Sequence, residues 1–173
     1  MASDEVTPLQ AAVSLIKQLG PGSAGRATLA TVMPPADEVT ETLPPATLPY
    51  ASLIITALGS GGRLLLLLSD LAQHTINIKH TSASSLLIDG TGGLEEPLTG
   101  PRVTLIGKTE KIEKTGDNSE LQRFVEMHQS AGFYAGFADF NLYAFAIERA
   151  HLVAGFGTID WIDGAELTAA LSG

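Results

Sequence analysis

The chain contains no cysteine. Disulfides, thiolate nucleophiles, cysteine metal sites and CxxC redox chemistry are therefore excluded, and any redox work has to be carried by a bound cofactor. Positive charge is scarce as well: 10 Lys and Arg stand against 19 Asp and Glu, for a formal net charge of −9. That balance argues against nucleic acid and against anionic membrane surfaces as partners. It also means that an anionic ligand has to be held by a few local donors. Charged residues make up only 17% of the chain while 45% are hydrophobic. Such a composition points to a surface partly buried against a second copy, a homodimer. No apolar run reaches the length of a membrane span, and the opening MASDEVTPLQ is acidic and polar, unlike a secretory signal. A cytoplasmic location is the default expectation.

The 173 residues suit a single domain, with an N-terminal helix and linker over residues 1–24 and a proline-rich insertion over residues 34–49. Thr7 as N-cap, Pro8 at the first helical position and the stripe Leu9, Ala12, Val13 and Ile16 predict a first helix that ends before Gly20. RATLATVM starts a strand near Ala27. PPADEVTETLPPATLPY holds too much proline for a sheet interior and reads as a surface or interfacial loop. YASLIITAL and RLLLLLS flank GSGG, a hairpin signal. SSLLID and RVTLIGKTEKIEK are further strands, the second half of the latter charged and hence exposed. LAQHTINIKH and DNSELQRFVEMHQ read as helices, with Asp70 and Gln73, and Asp117 and Glu120, at capping-box spacing. NLYAFAIERA and HLVAGFGTIDWI predict two strands that close the sheet, and DGAELTAALSG a terminal helix. Strands joined by few, short helices do not make βαβ units. The expected fold is mainly β (α+β), a closed or nearly closed antiparallel barrel with peripheral helices.

One junction carries chemistry. The buried leucine run passes directly into SDLAQHTINIK, Ser69 to Lys79. A strand that ends at Ser69 and a helix that starts near Leu71 place backbone N–H groups and a helix dipole at one spot. His74 and Thr75 stand in that first turn, where both can donate to a phosphate. The alternative is that Ser69 or Asp70 only caps the helix. The four histidines are 74, 80, 128 and 151; His74 and His80, six apart, do not share a helix face, and no metal site is expected. G-x-S-x-G, Walker and Rossmann patterns are missing, and no Ser/His/Asp signature is present. The aromatic stretch FYAGFADFNLYAF reads as packing between a helix and strands, with a flat ring pocket as the other reading.

Taken in order, GRATLAT, LPYASLIITAL, RLLLLLSDLAQHTINIK, SSLLIDG, EPLTGPRVTLIGK and FYAGFADFNLYAFAIERAHLVAGFG resemble the pyridoxamine 5′-phosphate oxidase-like FMN-binding split-barrel proteins. The nearest branch is that of the haem-utilisation proteins of the HugZ and HutZ kind. The resemblance runs over residues 25 to 160 or so. It implies a six-stranded antiparallel split β-barrel, homodimeric, with two FMN molecules at the subunit interface. On this chain the backbone of Tyr50, Ala51, Ser52 and Leu53 would lie along the isoalloxazine. Ser69, His74 and Thr75 would hold the phosphate with Asn77 nearby, and Arg102 would reach the flavin from the second subunit.

The oxidases usually set Arg or Lys at the phosphate, whereas this turn offers a histidine, a hydroxyl and helix N–H groups, so a modest FMN affinity is expected. Residues that grip pyridoxamine phosphate have no clear counterparts, so vitamin B6 oxidation is not expected. Haem-degrading members place an iron-ligating histidine in a C-terminal extension, and LTAALSG carries none. Asp139 falls where those proteins have an acidic residue near the haem ligand. The leading expectation is an FMN-dependent oxidoreductase acting on a small molecule. The others are haem binding or degradation with His128 or His151 as iron ligand, and a non-catalytic flavin-binding dimer. No residue stands out as an acid–base catalyst.

Overall fold

Leu64 to Leu68 are all buried, none more than 8% exposed, because the strand they form is covered on both faces. Strand side chains alternate with period two. Leu64, Leu66 and Leu68 face a core with Leu29, Leu86, Leu105 and Phe145, while Leu65 and Leu67 point the opposite way and pack with Ala57, Phe124 and Ala131. Burial of each leucine contributes about 2 kcal/mol, and a strand sealed on both sides has no reason to alternate with polar residues.

The computed structural model describes residues 6–19, 25–34, 48–113, 116–155 and 157–173. Along it run α1 (Pro8–Lys17), β1 (Arg26–Val32), β2 (Pro49–Leu58), β3 (Leu64–Ser69), α2 (Gln73–His80), β4 (Ala83–Asp89), β5 (Pro101–Lys111), α3 (Ser119–Met127), β6 (Phe140–Ala154), β7 (Ile159–Asp163) and α4 (Gly164–Ser172). The strands lie in the order β3-β2-β1-β4-β5-β6-β7, all neighbours antiparallel, and β6 returns to pair with β3. Six strands thus close into the expected antiparallel barrel, and β7 is added along the C-terminal half of β6. The expected insertion falls largely on residues 35–47, which lie outside the described residues, as do residues 1–5 and 20–24.

The barrel is split at one seam. β2 pairs with β1 from Arg26↔Ile55 to Val32↔Pro49, yet with β3 only over Thr56, Ala57 and Leu58. From Pro49 to Ile55 its other edge has no strand partner among the described residues. On the outer surface, Leu53, Thr28, Leu87 and Thr104 stand side by side in register across β2, β1, β4 and β5, with Ala51, Ala30, Ser85 and Ile106 in the next row. None of the eight is charged, and Leu53 is 70% exposed.

Three sequence expectations are corrected. NLYAFAIERA and the HLVA that follows it are one strand, not two. β5 pairs Ile106 with Arg149 but Gly107 with Ile147, so Glu148 is an extra residue on β6. This bulge bends the strand without ending it, which lets one half face β3 and the other β7. Neither predicted capping box forms. α2 starts at Gln73 with Ala72 as its N-cap and no side-chain cap, because Asp70 is drawn to Lys79 and Asn141. α3 starts after Asn118; Asp117 accepts from Ser119 N, and Glu120 turns away to Ser60 and Arg63. The first cap is as expected, with Thr7 and Gln10 bonded reciprocally ahead of Pro8.

Gly107 sits where β5 passes the bulge, and a Cβ there would meet the Ala146 carbonyl oxygen at 1.9 Å. Backbone on both sides leaves no flexible group to give way. Gly107→Ala is expected to cost about 3 kcal/mol, a fall of about 10 °C in Tm, read from a thermal melt.

Candidate functional site

Beyond Thr56 the two strands at the seam part company: β2 stays with β1, and β3 follows β6. A cleft of about 500 Å³ opens between them, within the size range of small-molecule sites. Leu53, Ile54 and Ile55 form one wall, Leu67 and Leu68 the other. Tyr134 and Phe140, tilted against each other with ring centroids 4.8 Å apart, close the far side. Ala72 and His74 enter from the start of α2, Ser69 from the end of β3, and Arg26 from the start of β1. The lining is apolar and aromatic, with few polar groups.

α2 is clamped in place by its own polar residues. Lys79 Nζ lies 2.8 Å from Asp70 Oδ1, and Asn141 Nδ2 donates to Asp70 Oδ2 at 2.9 Å. Asn77, buried, donates to Thr31 Oγ1 at 2.8 Å and accepts from Gln73 Nε2. Ser69 Oγ donates to Asp139 Oδ2 at 2.6 Å and accepts from Leu71 N. The hydrogen bond from Lys79 holds the Asp70 carboxyl below its usual 3.8, and both carboxylates beside the turn are engaged by side-chain donors.

Of the nine residues expected to bind a cofactor, the structure brings Leu53, Ser69 and His74 to the cleft, with Ser52 next to His74. Tyr50 and Ala51 lie along the unpartnered stretch of β2, away from this lining. Thr75 is wholly buried, and its hydroxyl has no partner among the described residues. Asn77 is spent on Thr31 and Gln73. Arg102 opens β5, where it donates to the carbonyls of Leu98 and Gly100. The two histidines considered as iron ligands are both elsewhere. His128 is buried, donates from Nε2 to Thr56 O at 2.9 Å and packs edge-on to Phe124. His151 stacks on Trp161 at 4.6 Å on the β6–β7 side.

Sequence reading missed Arg26, Ile55, Leu67, Tyr134 and Phe140 in the lining. The dense aromatic stretch was the signal for Tyr134 and Phe140 alone. It divides between two tasks: Tyr143 and Phe145 are core, while Tyr134 and Phe140 face the cleft.

His74 lies half-buried with Nδ1 3.1 Å from Ser52 Oγ. Burial lowers its pKa from 6.5. Between the folded value and 6.5 the unfolded chain binds the proton and the folded chain does not. Stability therefore rises with pH through that window and is complete above it. Urea midpoints are expected to fall as pH drops below 6.5, and His74→Gln should flatten that slope.

Two haem proteins and an oxidase-family protein share this architecture. The haem-binding protein from Mycobacterium smegmatis is 25% identical with a TM-score of 0.79, covering 96% of this chain and 62% of that one; this chain thus spans less than two thirds of it. HutZ, the haem storage protein from Vibrio cholerae, is 16% identical with a TM-score of 0.59, covering 85% of this chain and 94% of that one. A protein related to general stress protein 26, of the pyridoxinephosphate oxidase family, from Clostridium acetobutylicum is 12% identical with a TM-score of 0.61, covering 92% and 96%. No curated protein matches the chain. No helix among the described residues is long and apolar enough to cross a membrane. The split barrel foreseen from the sequence is therefore shared by haem-binding and oxidase-family proteins alike. Residues 24–169 match the family described as CREG, beta-barrel, and the chain belongs to that family.

Proposed function

We propose that the seam cleft binds haem, in a homodimer formed through the uncharged outer face of β1, β2, β4 and β5. The observation that carries the reading is the chemistry of the lining. Flat apolar walls of Leu53, Ile55 and Leu67 stand opposite the rings of Tyr134 and Phe140, which suits a large conjugated ring. Arg26 lines the same cleft, with no carboxylate of a described residue paired to it, and offers a counter-charge for a propionate. Likeness to the mycobacterial haem-binding protein supports the same ligand.

FMN is the second reading, favoured by the open edge of β2 at Tyr50–Leu53, whose backbone groups could meet the polar rim of a flavin. Against it stand the phosphate's needs. Ser69 is committed to Asp139, Lys79 to Asp70 and Asn77 to Thr31, and Thr75 is sealed inside. A phosphate dianion at this turn would face two carboxylates and no free cation among the described residues of α2. Flavin chemistry of the oxidoreductase type follows only if FMN is retained.

The test is a pair of titrations of the purified protein. Haemin is expected to give a saturable Soret change at one haem per chain, and FMN to give none or a far weaker one. Saturable flavin absorbance with no Soret change would replace the haem reading by the second.

A further inference from the structure

Two side chains of the iron-ligating kind line the cleft, His74 and Tyr134, and they are not equivalent. Tyrosine binds ferric iron as the phenolate, and the Tyr134 ring packs against Phe140 with centroids 4.8 Å apart. Histidine ligates through an unprotonated ring nitrogen, and His74 reaches the lining from the first turn of α2. Ligating histidines also need a second hydrogen bond that fixes ring and tautomer. Ser52 Oγ lies 3.1 Å from Nδ1; with Nδ1–H donating to it, the lone pair is left on Nε2.

Both residues are held rigidly. Ser52 is in β2 opposite Leu29 of β1. His74 is the second residue of α2, a helix tied down by the Lys79–Asp70 and Asn77–Thr31 bonds. The remaining histidines are committed or remote: His128 to Thr56 O, His151 to Trp161, and His80 exposed at the far end of α2.

We propose that His74 Nε2 would ligate the haem iron and that Ser52 is the positioning residue that sets its tautomer. The proposal rests on the haem reading above. It differs from the expectation of a ligand at His128 or His151, and it requires no histidine beyond residue 151.

Haemin is titrated into wild type, His74→Ala, Ser52→Ala and His151→Ala, followed by the Soret and visible bands and by the electron paramagnetic resonance of the ferric form. Wild type and His151→Ala are expected to share one imidazole-ligated spectrum. His74→Ala should lose it, and added free imidazole should restore it, which separates a missing ligand from a damaged fold. Ser52→Ala should keep the ligation pattern while haemin affinity falls about tenfold. If His74→Ala retains the wild-type spectrum, the ligand assignment is wrong while the haem reading survives. If wild type itself shows no haemin-dependent change, the reading and the assignment fail together.

Discussion

Leu87→Asp is expected to convert a dimer into a monomer. Leu87 projects from the middle of β4, flanked in register by Thr28 and Thr104, and is 38% exposed on the single chain. In a monomer the aspartate stays in water, so the cost to folding is that of a poor strand former, about 1 kcal/mol or less. In the proposed dimer it would be an unpaired charge on a face whose rows hold only Leu, Thr, Ala, Ser and Ile. An uncompensated buried charge costs about 3–5 kcal/mol, a shift of roughly a thousandfold in the dimer dissociation constant. Light scattering after size exclusion at a fixed micromolar concentration reads it directly. A wild type that is monomeric throughout would remove the dimer from the proposal, and a dimeric Leu87→Asp would move the interface to another face. Lys108→Ala serves as the contrast, since it removes only an exposed pair with Glu148 at 3.0 Å and should change neither mass nor stability measurably.

Phe145→Ala is expected to cost about 4 kcal/mol, the loss of a ring's transfer energy plus the cavity left behind. Its position makes relaxation difficult. Phe145 is fully buried and lies opposite both Leu64 of β3 and Thr109 of β5, so it stands where β6 joins the two ends of the sheet into a barrel. Collapse of either neighbour into the hole would have to move paired backbone. Against a total stability of roughly 5–15 kcal/mol this is a large fraction, and chemical denaturation should show the midpoint fall with little change in slope. An effect under about 1 kcal/mol would mean that the closure of β6 on β3 is not a structural element of the folded protein.

How much of this was legible in the sequence depends on the range of the interaction. The Thr7 cap and the GSGG hairpin are decided by neighbours in the chain, and both stand as read. The leucine run announced a buried strand, since five apolar residues after a glycine turn are too few for a helix and lack the alternation of a half-exposed strand. The Asp70 and Asp117 caps failed because partners distant in sequence outbid the local ones: Asn141 and Lys79 took Asp70, and Ser60 and Arg63 took Glu120. The division expected at Ala150–His151 is absent because the strand runs on through it, with Arg149 over the Trp161 ring at 4.0 Å and Glu148 in the bulge. At the site, the polar turn drew attention to His74, which lies at a cleft, but the same turn's Ser, Asp and Asn are bonded to the scaffold. Whether a polar residue faces a ligand or its own fold is set by three-dimensional neighbours, which no spacing rule encodes.

The unfinished pairing of β2 carries one more consequence. From Pro49 to Ile55 the edge of β2 turned away from β1 meets no neighbouring strand among the described residues, and such a rim can template the addition of foreign strands. A ring lodged in the cleft would shield that rim, so the occupant would act as a guard against clumping as well as cargo. Preparations made under ligand starvation would then suffer first in yield and clarity, well before any loss of the barrel itself.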